Sequence, residues 1–271
     1  MSRYDQLANL IVEMGNWACS IQQKVLRSYK TDNSVLTEAD TTINEKVGSK
    51  IRELFPNANV ITEEALFPFN PDAPLTFILD PIDGTDTYSQ GLPTWCLSLG
   101  ILDENRKAVG AMLYAPRWGL GCHQSLFLRL DPNKEITLNG VKYSNRLEER
   151  ELKQIVMPSN LFRFLMLNPF QVKMRSFGSN ILHIVSCLLY PNIQASISMN
   201  CYCWDIASSH ALLVKDGFRV CYHDSTPFEY DDSLLIERKP ISKILLAGTD
   251  EAVEKLIKIV NEAPYNYLNH Q

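Results

Sequence analysis

A layered α/β (α+β) sandwich is the fold class that this sequence predicts, and three observations predict it. The first half opens with two amphipathic helical stretches followed by short β-rich runs, and the second half alternates strands with helices. Hydrophobic residues make up 45% of the chain against 21% charged, ordinary globular usage that excludes disorder as the main state. At 271 residues the chain has the length of one large unit, with approximate lobes 1–145 and 146–271 divided in the charged stretch 145–153.

The elements follow in order. Leu7, Leu10, Ile11, Met14, Trp17, Ala18, Ile21 and Val25 fall on one stripe at three- and four-residue spacing, which predicts an opening helix that packs on a core. Thr37, with Asp40 three residues on, has the form of a capping box and starts a second helix whose Ile43, Val47, Ile51 and Leu54 face inward. Pro56 and Asn57 end it. Short β-rich runs separated by Pro, Gly, Asp and Asn then predict strands at Asn59–Thr62, 76–79, 95–102 and 108–114. In the second half, strands are expected at 155–157, near Met174, and at 194–198, 218–222 and 244–247. Helices are expected at 161–167, 179–189, 205–215 and 251–261, and no internal repeat is visible.

Composition narrows the partners. The chain has 26 Lys and Arg against 31 Asp and Glu, a formal net charge of -5, which argues against a nucleic-acid polymer gripped by its backbone. Seven cysteines, an odd number in a chain too large to need staples, fit a reducing compartment, so the cytoplasm is the expected location. Cys201, Cys203, His210, Cys221 and His223 fall close together, but their spacing suits no common zinc site and reads as buried thiols. The opening stretch carries charges and amides within its apolar pattern, so no signal peptide, no transmembrane helix and no membrane partner are expected.

The densest chemistry is Asp80-Pro81-Ile82-Asp83-Gly84-Thr85. An apolar β run delivers two carboxylates at its end, Pro81 biases Asp80 toward extended backbone, and Gly84 permits a sharp exit. A helix that starts after Gly84 would aim free N–H groups and the Thr85 hydroxyl at an anion. Acids beside a phosphate-ready backbone require divalent cations between them, and Mg²⁺ suits hard oxygen ligands joined to phosphate. Glu63-Glu64 also follows an apolar run, and Asp205, after Trp204, is expected to open a helix, where its carboxylate can serve as N-cap and still face outward.

Taken together, Thr37 to Asp40, Glu63-Glu64, the Asp80 to Thr85 run and Trp204-Asp205-Ile206-Ala207 resemble the signature of the inositol monophosphatase family, within the lithium-sensitive, Mg²⁺-dependent phosphatases. Arg175-Ser176-Phe177-Gly178-Ser179 before a helix extends the match. The resemblance implies an αβαβα sandwich of the inositol monophosphatase and fructose bisphosphatase type, two or three Mg²⁺ ions and a homodimer. It implies that Glu63, Asp80 and the carbonyl of Ile82 hold a first ion, that Asp80, Asp83 and Asp205 hold a second, and that Glu63 helps with a weak third. Thr85, paired with Asp40, would orient or deprotonate the attacking water, and the amides of Gly84 and Thr85 would cradle phosphate. Catalytic roles thus fall to Asp40, Glu63 and Thr85. Substrate contacts fall to Asp83, Gly84, Thr85, Gly178, Ser179, Ser198 and Asp205.

The activity implied is Mg²⁺-dependent hydrolysis of a small phosphorylated metabolite by in-line attack of a metal-activated water. The alcohol side departs from the pattern. Ser198 stands seven residues before Asp205, where inositol-phosphate hydrolases carry a glutamate, and a serine offers no charged acceptor to two vicinal hydroxyls. The stretch 215–218 keeps only Gly217 of the usual Glu-Ala-Gly-Gly ending, and Thr87 replaces a common asparagine. A 3'(2'),5'-bisphosphate nucleotidase or a fructose 1,6-bisphosphatase are the alternatives within the superfamily. A non-catalytic phosphate-binding relative is the alternative of another class.

Overall fold

A computed structural model describes residues 1–31, 34–119, 125–143, 152–163 and 172–262. Helix α1 (Arg3–Ile21) starts at a reciprocal cap, with the Asp5 N–H donating to Ser2 Oγ and the Ser2 N–H to Asp5 Oδ2. A small hairpin, β1 (Ser28–Tyr29) and β2 (Val35–Leu36), leads to α2 (Glu38–Leu54), which begins at the expected Thr37 and Asp40 capping box. Next come β3 (Asn59–Thr62), β4 (Leu75–Asp83), the single turn-and-a-half α3 (Thr85–Ser89), β5 (Cys96–Asp103) and β6 (Ala108–Ala115). Strands β7 (Leu126–Leu130), β8 (Thr137–Leu138) and β9 (Val141–Lys142) follow and were not anticipated from the sequence.

The second half contains β10 (Gln154–Val156), β11 (Lys173–Arg175), α4 (Asn180–Leu189), β12 (Ala195–Ser198), α5 (Ala207–Lys215), β13 (Arg219–Tyr222), α6 (Asp232–Leu235), β14 (Leu245–Gly248) and α7 (Asp250–Glu262). The helix expected at 161–167 is, in its described part, a 3₁₀ turn at Ser159–Arg163, and its remainder lies outside the described residues. The lobe boundary at 145/146 also lies outside them.

Two sheets organise these elements. The first runs β3-β4-β5-β6-β7-β8-β9, antiparallel except for β3 and β4. The second runs β11-β10-β12-β14-β13, parallel among β11, β10 and β12 and antiparallel beyond. Leu7, Ile11 and Met14 of α1 and Ile43, Val47 and Ile51 of α2 pack with Phe77, Leu79, Leu97 and Leu99 on one face of the first sheet. On its other face, Ile78 and Leu113 share a core with Leu182 and Val185 of α4, Ala211 and Leu212 of α5, and Leu245 and Ala247 of the second sheet. Val253, Leu256 and Val260 of α7 cover the far side, against Ala195, Ile197 and Leu246. The layer order is therefore αβαβα, with alternate residues of each strand feeding different cores. No helix among the described residues is long and apolar enough to cross a membrane.

Candidate active site

Strand β4 supplies the first two acids. Alternation turns Phe77 and Leu79 toward α1 and α2, and Ile78 and Asp80 toward the middle helical layer. In an unbroken strand Asp83, three residues on, would face the opposite way. The register instead steps from Asp80 opposite Ser98 to Asp83 opposite Cys96, so β4 spends one more residue than β5. That β-bulge at Pro81 and Ile82 brings both carboxylates to the same side, and proline suits it because the bulge needs no ladder N–H there. Gly84 then turns the chain in left-handed backbone (φ 91°) and begins α3. A Cβ at Gly84 would lie 2.9 Å from Thr87 Oγ1 and 3.0 Å from the Thr94 carbonyl oxygen, so only glycine fits.

Asp205 reaches the same point from the loop between β12 and α5. Asp80, Asp83 and Asp205 each place a carboxylate oxygen within 4.8 Å of the others. Asp83 is held by the first turn of α4: its Oδ2 accepts the Ile181 N–H at 2.7 Å and the Ser179 hydroxyl, which also caps that helix by accepting the Leu182 N–H at 3.1 Å. Asp205 is not the N-cap that its place in the sequence suggested. Helix α5 begins two residues later, with Ile206 at the cap position, and Asp205 Oδ2 turns back to accept the Tyr202 N–H at 2.6 Å. That backward turn directs the carboxylate at Asp83 rather than along the helix.

Asp40 and Thr85 meet as expected. One Asp40 oxygen, Oδ2, accepts the Thr37 N–H at 2.8 Å and the Thr37 hydroxyl at 2.6 Å, while Oδ1 lies 3.1 Å from Thr85 Oγ1. Thr85 Oγ1 is also 2.9 Å from the carbonyl oxygen of Ile82. Glu63 stands outside the three-acid cluster, yet its charge helps raise Asp80. Its carboxylate pairs with Lys30 Nζ at 2.6 Å, as does that of Glu64. Gly178 (φ 83°) precedes Ser179 and passes so close to α3 that a Cβ on it would fall 2.4 Å from Thr87 Cγ2. Ser198 is buried at the end of β12, beside the Cys201 thiol.

The electrostatics are those of a site short of positive charge. Burial, then the neighbouring Glu63, Asp83 and Asp205, pushes Asp80 well above the usual carboxylate range. Burial and Asp83 do the same to Asp205, while burial raises Asp83 against the opposing pull of Ser179 and the α4 amides. Burial raises Asp40 to about 6 and, with help from Glu63, Glu64 to about 7. Burial disfavours the Lys30 ammonium, but Glu63 and Glu64 outweigh it and its pKa rises. Asp80 Oδ1 is buried without a hydrogen-bond partner among the described residues, a position that costs free energy unless a cation or donor meets it. Three converging oxygen donors, one of them orphaned, fit a hard divalent cation such as Mg²⁺.

Two features of the site had no counterpart in the sequence reading. The Ser179 hydroxyl binds Asp83 directly, across 96 positions of chain. Arg238, in the loop after α6, donates to the backbone carbonyls around Glu63. No local pattern flags either, because both contacts are made only by the packed layers. Of the cysteine group, Cys201 and Cys203 lie in the middle core and Cys221 in the outer one.

Comparison with known proteins supplies the context for this geometry. The model of the inositol monophosphatase family matches residues 7–264. Among curated proteins, Nus factor SuhB of Haemophilus influenzae is 26% identical over 205 residues, covering 71% of this chain and 73% of its own length. Inositol monophosphatase 1 of Sus scrofa is 25% identical over 240 residues, covering 83% and 82%. Among solved structures, an IMPase/NADP phosphatase complexed with Mg²⁺ and phosphate superposes with a TM-score of 0.80 at 17% identity, over 98% of this chain and 97% of the other. At that identity the likeness is one of fold.

Proposed function

This chain belongs to the inositol monophosphatase family, and from that premise we propose that it is a Mg²⁺-dependent phosphomonoesterase that hydrolyses a small phosphorylated metabolite by direct in-line attack of water. The observation that carries the proposal is the convergence of Asp80, Asp83 and Asp205 beside the Asp40 and Thr85 pair. Glu63, Asp80 and the Ile82 carbonyl would hold one Mg²⁺, Asp80, Asp83 and Asp205 a second, and Glu63 would help with a weaker third. Mg²⁺ held by these groups supplies positive charge that polarises the phosphoryl group, lowers the pKa of water and neutralises the departing oxygen.

The remaining work falls to the chain's own groups. Thr85 Oγ1 takes a proton from the attacking water as it passes its own proton to Asp40 Oδ1, 3.1 Å away, so the threonine ends the step as a hydroxyl and Asp40 as the acid. Asp40 suits that task because burial raises it to about 6, near the working pH of a general base, while Thr37 fixes its other oxygen. The Gly84 and Thr85 amides at the start of α3 cradle the phosphate, and the steric limit at Gly84 keeps backbone within reach of it. Ser179 holds Asp83 and, with Gly178, forms the wall opposite.

The alcohol side is read as permissive. The Ser198 hydroxyl is buried at the end of β12, so this position supplies no carboxylate to select a vicinal diol. Polyol phosphates, nucleotide bisphosphates and fructose 1,6-bisphosphate are therefore all substrates to test. The same reading takes the protein as a cytoplasmic homodimer. A phosphate-release screen with millimolar Mg²⁺ across inositol, sugar and adenosine bisphosphate substrates tests the proposal. EDTA-sensitive release from at least one substrate is expected, and no turnover on any of them would refute the enzyme reading in favour of a non-catalytic phosphate-binding protein.

A further inference from the structure

We propose that Arg238 is a positioning residue that fastens the Glu63 turn to the Asp205 loop and so sets the separation of the two halves of the cation site. The inference rests on the metal reading above and extends it to a residue outside the ligand set. Arg238 Nη2 donates to the carbonyl oxygens of Thr62 at 2.6 Å and Glu63 at 3.1 Å, and Nη1 donates to that of Ala65 at 2.9 Å. Three bonds to one turn fix the backbone from which the Glu63 side chain departs.

The same guanidinium lies over the ring of Trp204, with its central carbon 4.8 Å from the centroid. Trp204 in turn stacks on Tyr202 at 4.7 Å and 5°. Tyr202 and Trp204 bracket the short loop in which the Tyr202 N–H holds Asp205 Oδ2. A second tie runs in parallel, from the Ile241 N–H to the Cys201 carbonyl at 2.8 Å. One cation therefore touches both loops, through N–H donation to the first and over the Trp204 ring of the second. Arg238 also holds left-handed backbone (φ 55°), a conformation uncommon outside glycine that tertiary contacts must support.

Guanidinium chemistry explains why arginine occupies this position. Its planar fork donates several bonds in fixed directions while its face stacks on an aromatic ring, and an ammonium cannot do both. Arg238→Ala removes both ties, whereas Arg238→Lys keeps the charge and loses the fork. Groups that orient metal ligands typically change metal affinity about 10- to 100-fold when removed.

The test is thermal unfolding of the whole chain titrated with Mg²⁺ alone, for wild type, Arg238→Ala and Arg238→Lys, since a ligand of the native state raises Tm with a concentration dependence that reports its affinity. The half-saturating Mg²⁺ concentration is expected to rise about tenfold or more in Arg238→Ala and by a smaller factor in Arg238→Lys. A purely structural role would lower Tm equally at every Mg²⁺ concentration. Half-saturation within about twofold of wild type in both variants would overturn the inference, and Arg238→Lys alone decides it if Arg238→Ala does not fold. A wild-type chain whose Tm ignores Mg²⁺ would instead overturn the metal reading and this inference with it.

Discussion

The contact between Gly178 and Thr87 offers a perturbation whose size follows from the geometry. Gly178→Ala places a methyl group 2.4 Å from Thr87 Cγ2, where the two cannot coexist. Thr87 cannot swing aside freely, because its Oγ1 lies 2.8 Å from the Gly84 carbonyl oxygen and 2.7 Å from that of Thr94. Alanine at φ 83° costs about 1–2 kcal/mol in left-handed backbone. Overpacking against Thr87 adds about 1–3 kcal/mol, for a total of roughly 2–5 kcal/mol. Thr87→Ser deletes only the obstructing methyl and keeps the hydroxyl, at a cost below about 0.8 kcal/mol.

The double variant should therefore recover the overpacking part and keep the backbone part, a coupling of about 1–3 kcal/mol in a cycle of urea unfolding experiments. Activity should respond more sharply than stability. The strain can relax only by moving Ser179 away from Asp83 or Thr87 away from Gly84, so phosphate release by Gly178→Ala is expected to fall on the order of a hundredfold. Equal costs of Gly178→Ala in the two backgrounds, within about 0.5 kcal/mol, would refute the assigned close approach.

Three further outcomes are expected. Asp205→Asn removes a carboxylate that burial and Asp83 drive well above its ordinary pKa. Such a group stabilises the fold only while protonated and loses that contribution as pH rises through its folded value, so at about pH 8 in EDTA the variant should unfold at a higher temperature than wild type. In Mg²⁺ the order should invert, with half-saturation raised about a hundredfold or more; a variant less stable than wild type in EDTA would contradict the account. Thr85→Val should lower kcat by about a hundredfold or more while leaving the Mg²⁺-dependent rise in Tm intact, and a rate within about threefold of wild type would exclude Thr85 Oγ1 from proton handling. His210 is buried against Phe228 and Tyr230, and burial lowers it from 6.5 to about 4. Its depressed pKa gives a contribution to stability that is complete above 6.5 and lost as pH falls toward 4, so His210→Gln should lose about 3 kcal/mol less than wild type across that interval in urea unfolding.

What the sequence disclosed was whatever chemistry is local. The cap formed by Thr37 and Asp40 lies within one turn, and the helices α1 and α7 carry their apolar stripes in plain periodicity, whereas α4 is buried on every side from Ile181 to Leu189. Asp80, Asp83, Gly84 and Thr85 lie within six residues, so their nearness was legible, whereas the β-bulge that turns both carboxylates to one side appears only in the pairing with β5. Strand β7, Leu-Phe-Leu-Arg-Leu, escaped because leucine favours helices and the run has no β-branched residue; its pairing with β6 and β8 makes it a strand. Asp205 meets Asp80 and Asp83 as the resemblance implies, and only its capping role differs: a short polar residue before a helix ordinarily caps it, and the competing Tyr202 N–H is visible only in the folded loop. Arg238 meets Glu63 across 175 residues, and a lone arginine in a loop carries no periodic signal.

The extra residue in β4 has a consequence for how this protein tolerates change. By stepping out of register with β5, the chain turns the peptide oxygen of Ile82 toward Thr85 Oγ1. That atom belongs to every amino acid alike, so no codon change can delete it. A saturation scan at Ile82 would report the fit of a side chain packed under α1 and α2 and say nothing about the oxygen above it. The exposure to mutation lies in the count of residues rather than in their kinds: a single-codon deletion between Asp80 and Asp83 would restore an unbroken ladder and draw that oxygen back into it. Indels, more than substitutions, are the genetic lesions to which this corner of the molecule is exposed.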